Sequence, residues 1–272
     1  NITTNKLALL FSFYDENHTD SRSLYNQHSI EILDVNEAGN VQFAVYGYMN
    51  RGRHEGEVGI QLYAYESEKN TIEEIVYIPY EKTYEILKSE LQNLLYWSRE
   101  GVLYLYLDHA IYAVNVPKKT VDKLAVMESD QSVSISEKHD LVVWKEEQGL
   151  CLMDMAQEKK VKIEAWEGES IFSCGFMGED LIYGRAKNSD IAMDSTGRIL
   201  VPMYQINICN SQGRILKKYE QENVYVTDCA ISGNQITLER IQKLENGNFK
   251  AIEKEHIMNN EEAAEGKNKL SV

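Results

Sequence analysis

The 272-residue sequence lacks long apolar runs. The longest, Gly101–Leu107 and Ile111–Val116, are far shorter than the roughly 20 residues that a helix needs to cross a bilayer. Positive charge is also scarce, because 28 Lys and Arg residues stand against 43 Asp and Glu residues and leave a formal net charge of -15. Nucleic-acid phosphates and anionic lipid headgroups both attract basic surfaces. The composition therefore argues against nucleic-acid binding and against direct membrane contact by this segment.

Motifs for metal, redox and cofactor chemistry are missing as well. The sequence has no G-x-S-x-G elbow, no phosphate-binding Walker loop and no dinucleotide fingerprint. Its four cysteines contain no C-x-x-C pair, and each lies in or beside an apolar run, which favours free, buried thiols over two disulfides. They are Cys151, Cys174, Cys209 and Cys229. We therefore expect no cofactor and no metal site.

Short β-type runs separated by turns make up most of the sequence. With 43% apolar and 26% charged residues the chain has the composition of a globular protein. The runs group into five units of three or four strands, with one helical segment predicted at Glu81–Asn93. The units comprise Val41–Tyr48, Val58–Tyr65 and Thr71–Ile78; Leu91–Trp97, Val102–Asp108, Ala110–Val116 and Thr120–Val126; Ser132–Ser136, Leu141–Lys145, Leu150–Asp154 and Val161–Ala165; Ile171–Phe176, Leu181–Arg185, Met203–Cys209 and Ile215–Tyr219; and Val224–Ile231, Gln235–Lys243 and Phe249–His256.

Repeats of roughly 40–50 residues with about four strands each are typical of β-propeller blades. We therefore predict an all-β fold, a β-propeller-like array of four-stranded antiparallel blades with about five to six units. A single such domain is expected over residues 1–258, followed by a polar linker or cut end at 259–272. The strand predicted at Lys6–Phe13 either joins the last sheet and closes the ring, or the ring stays open in this piece of a longer chain.

Two hairpins share one sequence pattern, which aligns Trp97 with Trp144 and Gly101 with Gly149. We expect both tryptophans to fill equivalent packing positions, and core packing outweighs ligand stacking for the three tryptophans, Trp166 included. The run VSISEKHDLVVWKEEQGLCLMD at 133–154 resembles blades of the WD40-like and TolB-like propeller group. That resemblance implies the same architecture, although the Gly-His and Trp-Asp dipeptides of WD40 repeats are missing.

The segment Tyr48–Gly59 has the most unusual local composition, because three glycines and charges of both signs stand between two β runs. Glycine permits turn conformations, and loops on a rigid scaffold commonly carry sites. We predict an exposed connection, and the alternative to a binding loop is a long hairpin whose Arg and Glu side chains pair with each other. A zinc-protease motif fails here, since no second His follows. The candidate ligand- or partner-binding residues are Tyr48, Asn50, Arg51, Arg53, His54 and Glu55.

Two other segments invite a functional interpretation that the residues do not support. Asp34–Gly39 begins like a calcium loop, but its twelfth position is Val45 instead of a bidentate Glu, so it predicts a tight turn. Asp108 and His109 are adjacent, and neighbours on a strand point to opposite faces, so the carboxylate can orient the imidazole only if both lie in a turn.

These features favour a non-catalytic binding or scaffold module with an unidentified protein or carbohydrate partner. The alternative is a carbohydrate-active or hydrolytic enzyme whose carboxylates come from separate blades. Residues Tyr46–Ile60 resemble a segment of uncharacterised, membrane-anchored proteins of anaerobic Gram-positive bacteria. That resemblance implies an extracytoplasmic domain, attached to the membrane through a segment outside this chain; the competing expectation is a cytoplasmic protein.

Overall fold

The computed structural model describes residues 9, 27–50, 52–127, 133–193, 197–245 and 247–258. The chain forms two compact units, Asn1–Val126 and Met127–Val272. Apart from Leu9, the strand predicted at Lys6–Phe13 lies outside the described residues, as does the linker at 259–272. The single domain predicted over 1–258 stays a prediction.

The first unit contains two four-stranded antiparallel sheets, in which strands pair in chain order. A ten-residue helix, α1, connects them. The first sheet comprises β1 (His28–Val35), β2 (Val41–Tyr48), β3 (Val58–Glu66) and β4 (Thr71–Tyr80); α1 spans Tyr84–Asn93; the second sheet comprises β5 (Leu95–Trp97), β6 (Val102–Leu107), β7 (Ala110–Asn115) and β8 (Thr120–Val126).

The second unit begins with another four-stranded antiparallel sheet, β9 to β12, and continues with a seven-stranded one. In the larger sheet, β13, β14, β17 and β18 form a four-stranded group, and β19 to β21 follow through the single pair Met203–Val226. A small hairpin, β15–β16, interrupts the chain. The bounds are β9 (Val133–Ile135), β10 (Leu141–Glu146), β11 (Gly149–Asp154), β12 (Lys159–Glu164), β13 (Glu169–Met177), β14 (Asp180–Lys187), β15 (Ala192–Met193), β16 (Ile199–Leu200), β17 (Met203–Cys209), β18 (Ile215–Glu220), β19 (Val224–Ser232), β20 (Gln235–Lys243) and β21 (Phe249–Met258).

Burial explains why these runs are strands. The central strand β6, VLYLYL, is buried along its whole length, whereas most residues of the edge strands β8 and β12 are exposed and both strands carry charged side chains. A strand buried on both faces reads as a continuous apolar run, while an edge strand tolerates charge and gains protection from it. The helix buries Leu87 and Leu91, four positions apart on one face, against the two sheets of its unit.

The predicted all-β, propeller-like fold of four-stranded antiparallel units is confirmed, as is the helix within Glu81–Asn93. The structure adds β1, which sequence analysis missed. It also shows that the alignment of Trp97 with Trp144 is wrong, because Trp97 lies on the first strand of its sheet and Trp144 on the second. An apolar run, a Trp and a Gly-containing turn can mark any antiparallel hairpin, so the pattern does not distinguish the hairpins within a blade.

No helix in the part of the chain that the structure describes has the length and apolar character needed to span a membrane.

Candidate functional site

The loop between β2 and β3 is closed by its own backbone. The Met49 N–H donates to the Glu57 carbonyl and the Gly56 N–H donates to the Met49 carbonyl, each at 2.8 Å. Gly52 and Gly56 have φ values of 86° and 91°, which glycine adopts without the penalty that a Cβ imposes. The glycine enrichment seen in the sequence therefore reflects turn geometry.

His54 is held from several sides within this loop. Its ring stacks on Tyr77 with a centroid separation of 3.6 Å, and its side chain is only 14% exposed. Nε2 lies 3.2 Å from Glu74 Oε1, and Nδ1 lies 3.4 Å from Glu57 Oε2. A neutral imidazole has one N–H and donates to one of these carboxylates, whereas an imidazolium donates to both. Gln61 Nε2 donates to the other Glu74 oxygen at 3.0 Å.

Tyr77 forms the base on which His54 rests. Burial, followed by the neighbouring Glu57 carboxylate, raises the pKa of the Tyr77 phenol, so the hydroxyl stays protonated and donates to the Val58 carbonyl at 3.3 Å. The ring lies so close to Gly59 that a Cβ there would be 2.6 Å from a ring carbon. Gly59 is thus required by a close approach and not by a turn.

The structure exposes some of the predicted site residues and buries others. Arg53 and Glu55 are exposed, Tyr48 and His54 are half-buried, and Arg51 lies outside the described residues. Asn50 is only 6% exposed, and its Oδ1 is buried without a hydrogen-bond partner. The prediction of an exposed connection is therefore wrong for Asn50 and for the neighbouring Met49, which the loop folds inward. Whether these residues bind a ligand stays a prediction.

Asp108 and His109 occupy the two-residue turn between β6 and β7, with φ values of 48° and 57°. Positive φ at both positions is what a type I′ hairpin turn requires. Asp108 Oδ1 accepts a hydrogen bond from Lys82 Nζ at 2.5 Å, and His109 Nδ1 lies 3.3 Å from the Tyr106 hydroxyl. These contacts give each side chain a structural partner.

The second unit holds a buried polar cluster that the sequence did not indicate. Arg185 on β14 is 6% exposed, and its Nη2 donates to the Glu164 carbonyl at 3.1 Å. Its Nη1 lies 3.6 Å from Glu169 Oε2 on β13. Glu169 Oε1 accepts the Tyr204 hydroxyl at 2.8 Å, and burial, followed by this hydrogen bond, raises the pKa of Tyr204 to about 12.

Both partners of this ion pair retain unused hydrogen-bonding capacity. Arg185 Nη1 and Glu169 Oε2 are buried, and neither makes a hydrogen bond with a residue that the structure describes. Ser173 Oγ and Asn207 Nδ2, on flanking strands of the same sheet, are also buried and have no hydrogen-bond partner in the described part of the chain. Most buried polar groups in proteins pair with other protein groups or with ordered water, so these atoms have capacity for a further polar partner, either water or a ligand.

Trp166 lies directly beside this cluster. The Arg185 guanidinium is centred over the indole ring at 4.4 Å, yet Trp166 is 61% exposed. Its turn is fixed by the Ala165 N–H, which donates to the Gln148 carbonyl, and by the Asn188 N–H, which donates to the Gly168 carbonyl, each at 2.9 Å. The expectation of core packing is thus met by Trp144, which is 2% exposed, and is wrong for Trp166.

A groove of about 340 Å³ runs along Trp166, which we call the Trp166 groove. Gly149 is required in its wall, because a Cβ there would be 2.1 Å from the Ile163 carbonyl oxygen. Glu169 also lines a second cavity of about 660 Å³, together with Tyr204 and Lys187. The Trp166 groove is lined by Lys145, Glu146, Glu147, Gln148, Gly149, Ala165, Trp166, Glu167, Glu169, Ser170 and Ile171.

Two carboxyl groups meet elsewhere in this unit, where the turn after β9 contacts the β13–β14 turn. The Lys138 N–H donates to Glu179 Oε1 at 3.3 Å, and Ser136 Oγ donates to Asp140 Oδ1 at 3.1 Å. Burial and the Asp140 carboxylate raise the pKa of Glu179 to about 7. Burial alone would raise the pKa of Asp140, but hydrogen bonds from Glu179 and Ser136 hold it below its usual value. The opposite directions of the two pKa shifts make Glu179 the carboxyl group of the pair that takes up a proton first as the pH falls.

Within the described part of the chain, no group of three or more His, Cys, Asp or Glu residues is arranged to hold a metal ion.

Comparison with known proteins finds no matching family model and no matching curated protein. Among solved structures, BamB from Moraxella catarrhalis is 11% identical with a TM-score of 0.32, and the alignment covers 76% of this chain and 68% of that chain. The beta-propeller domain of the Trilobed protease from Pyrococcus furiosus is 11% identical with a TM-score of 0.32, covering 79% and 64%. Dipeptidyl peptidase 4 from Porphyromonas gingivalis is 8% identical with a TM-score of 0.26, covering 77% and 44%. Similarities at these identities and TM-scores say nothing about the site. The propeller-like fold is shown by the four-stranded sheets of this chain itself.

Proposed function

We propose that this chain is a non-catalytic binding module that recognises carbohydrate through the Trp166 groove. The observation that carries the proposal is the exposed indole of Trp166, held from one side by the buried Arg185 guanidinium at 4.4 Å. Packing an aromatic ring buries roughly 150–250 Å², so leaving most of an indole in water forgoes about 2–3 kcal/mol. An indole fixed in this position and left exposed fits a surface that a ligand covers.

The chemistry around the indole favours a sugar. A pyranose ring has an apolar C–H face that packs on an aromatic ring, and hydroxyl groups at its edge that need donors and acceptors. Glu146, Glu147 and Gln148 line one side of the groove, and Glu169 retains an unpartnered oxygen. The Arg185 guanidinium already lies against the electron-rich ring of the indole. The neutral face of a sugar is therefore a better second partner for this ring than another cation.

Charge also decides against anionic ligands at this groove. Its lining carries Glu146, Glu147, Glu167 and Glu169 against one cation, Lys145. Glu146 is paired with Lys162 at 3.1 Å and Glu169 with Arg185 at 3.6 Å, so the net negative charge of the lining comes from Glu147 and Glu167 against Lys145. A cleft lined by one sign of charge repels ligands of the same sign. Neutral or amino-bearing glycans therefore fit better than uronic acids or phosphates.

The test measures affinities by isothermal titration calorimetry of the full chain with soluble neutral, amino-bearing and uronic-acid oligosaccharides. Trp166→Ala should weaken binding roughly 5- to 30-fold, and Trp166→Phe should retain part of the affinity, because one indole–sugar stack contributes on the order of 1–2 kcal/mol. Ile199→Ala is the matched control, since Ile199 is a 70% exposed apolar residue of the same unit. Equal affinity in Trp166→Ala and wild type, or no binding to any of the three glycan classes, contradicts the proposal.

The loop between β2 and β3 is the second part of this proposal. Arg53 and Glu55 present opposite charges on the surface beside the fixed His54 ring. Such a surface fits a protein partner, with Tyr48, Asn50 and Arg51 as the flanking positions expected from sequence. Arg53→Ala combined with Glu55→Ala tests it, because a partner that docks here loses affinity while glycan binding at the Trp166 groove is unchanged.

We further propose that the module faces the outside of the cell and is attached to the membrane through a segment outside this chain. The support is the sequence resemblance of Tyr46–Ile60 and the acidic composition. Protease treatment of intact cells that express the parent protein tests this location: digestion of the module confirms it, and protection until lysis supports the cytoplasmic alternative. Release of reducing ends from the titrated glycans would favour the enzymatic alternative.

A further inference from the structure

The strands β19–β21 are joined to the rest of their sheet by little backbone pairing. Met203–Val226 is the pair that connects β17 to β19. Beside it, β13 packs against β19 through side chains, and a Cβ added to Gly175 would lie 3.3 Å from Ile231 Cδ1. Side-chain packing between β13 and β19 is therefore a main attachment of the last three strands.

Two cysteines lie at this contact. Cys229 on β19 is 8% exposed and belongs to the core cluster of the sheet, and Cys174 on β13 packs against the same cluster. The Cys174 thiol, followed by burial, raises the pKa of Cys229, in keeping with their place against one cluster on two strands that pack on each other. Cys174 occupies a β-bulge, because Ser173 pairs with Tyr183 and Gly175 pairs with Ile182, so the ladder leaves Cys174 unpaired. A bulge redirects its side chain and bends the strand.

The remaining cysteines are in different surroundings. Cys151 and Cys209 are buried on β11 and β17, and burial raises their pKa values to about 11 and about 12. A raised pKa lowers the thiolate fraction and slows the reaction of a thiol, and the same holds for the buried Cys229. Of Cys174 and Cys229, Cys174 is the more exposed. An external reagent therefore reaches the Cys174 sulfur first.

We propose that Cys174 and Cys229 are a dithiol that closes into a disulfide between β13 and β19 in an oxidising compartment. The Cys174 sulfur attacks a small-molecule disulfide, forming a mixed disulfide and releasing one thiolate. Cys229 then gives up its proton and attacks the Cys174 sulfur, and the second thiolate leaves. Two protein thiols are oxidised and one external disulfide is reduced to two thiols, so atoms and electrons balance.

The cross-link has a structural consequence. It closes a loop of about 55 residues, and constraint of the unfolded chain by such a loop stabilises the folded state. The loop includes Arg185 and Tyr204, two residues of the polar cluster beside Trp166. Oxidation should therefore raise the melting temperature of the second unit by roughly 5–15 °C. Side-chain packing alone would then no longer be the main attachment of β19–β21.

The experiment incubates the full chain with oxidised glutathione under native conditions, with dithiothreitol as the reduced reference. Free thiols counted after denaturation should fall from four to two, peptide mapping should identify a Cys174–Cys229 link, and the melting temperature should rise. Cys151→Ala combined with Cys209→Ala should keep the rise, whereas Cys174→Ser should abolish it.

Persistence of four free thiols, a link between a different pair, or an unchanged melting temperature in the mapped disulfide form overturns the proposal. The mapping uses the wild-type chain, so it decides the question even where a variant fails to fold. It does not depend on glycan binding at the Trp166 groove.

Discussion

The two candidate sites differ in how completely their polar side chains are paired. In the loop between β2 and β3, both nitrogens of His54 face carboxylates and its ring stacks on Tyr77. Beside Trp166, the Arg185–Glu169 pair is buried and leaves Nη1 and Oε2 without hydrogen bonds. Among the described residues, the loop leaves the single amide oxygen Asn50 Oδ1 buried without a partner, whereas beside Trp166 both members of a buried ion pair keep unused hydrogen-bonding capacity.

Two buried carboxylates show the same contrast. Glu90 in α1 accepts hydrogen bonds from the Tyr80 hydroxyl at 2.7 Å, the Asp108 N–H at 2.8 Å and Lys82 at 3.4 Å. Among the described residues, Glu169 accepts one side-chain hydrogen bond, from the Tyr204 hydroxyl, and its second oxygen accepts none. A satisfied carboxylate fixes the elements around it, and a partly satisfied one is expensive to keep. If glycan titration bears out the proposed Trp166 groove, unsatisfied buried groups will have indicated the site better than unusual local composition did.

The largest expected effect comes from breaking the Arg185–Glu169 pair. Arg185→Met should lower the free energy of unfolding by about 3–5 kcal/mol, because it leaves the Glu169 carboxylate buried without a cation. The double variant Arg185→Met, Glu169→Leu should recover most of this loss. Urea denaturation of the three proteins measures both values. A single-variant loss below about 1 kcal/mol would mean that solvent already screens the pair, and would weaken the contrast with the His54 loop.

A smaller loss is expected in the other region. His54→Ala should lower the free energy of unfolding by about 1–2 kcal/mol, through loss of the stack on Tyr77 and of the contact with Glu74. Arg53→Ala is the matched control, and because Arg53 is exposed its effect should stay within about 0.5 kcal/mol. Equal losses from both variants in thermal or urea unfolding would show that the stack on Tyr77 and the contact with Glu74 do not contribute to the free energy of unfolding.

The smallest effect concerns the carboxyl pair of Asp140 and Glu179. The pKa of Glu179 is raised to about 7 in the folded state, above its unfolded value of about 4.3. Its contribution to stability is therefore complete below about pH 4.3 and is lost as the pH rises through 7. We expect a loss of about 1 kcal/mol between pH 5 and 8 after allowance for solvent screening.

Glu179→Gln keeps a neutral hydrogen-bond donor beside Asp140 at every pH. The difference in unfolding free energy between wild type and this variant should change across pH 5–8, and the variant should be relatively more stable at the upper end. Asp140 has a lowered pKa, so its own contribution is lost only as the pH falls below about 4. Parallel curves for the two proteins over pH 5–8 would show that the pKa of Glu179 is not raised in the folded state.

Much of the secondary structure follows from local pattern. The unit from Ile171 to Tyr219 was predicted with four strands, and β13, β14, β17 and β18 occupy those positions. The edge strand β1 was missed although Ile30 and Ile32 alternate there, because they are 48% and 65% exposed and polar residues surround them. An edge strand lacks the apolar run that marks a strand buried on both faces.

The candidate site was less predictable. Trp166 was expected in the core with Trp144, but it lies in a turn between β12 and β13 instead of in an apolar run. The sequence feature that could have indicated its exposure is this position outside an apolar run, with Gly168 two residues further along the chain. Arg185 carried no signal, since a single arginine at the end of an apolar strand fits a solvent-exposed edge equally well. Only the register that places it opposite Ile171 and Gln205 shows that it is buried.

By itself, the sequence determined the class of fold, the helix and the positions of most strands, because these depend on alternation and turn residues that act over a few positions. The tertiary structure alone decided which polar residues are buried, which tryptophan is exposed and which two cysteines meet. Those outcomes depend on strand register and on packing between residues such as Glu169 and Arg185, or Cys174 and Cys229, that are far apart in the chain. A shift of one residue in register would turn each of these side chains to the other face of its sheet.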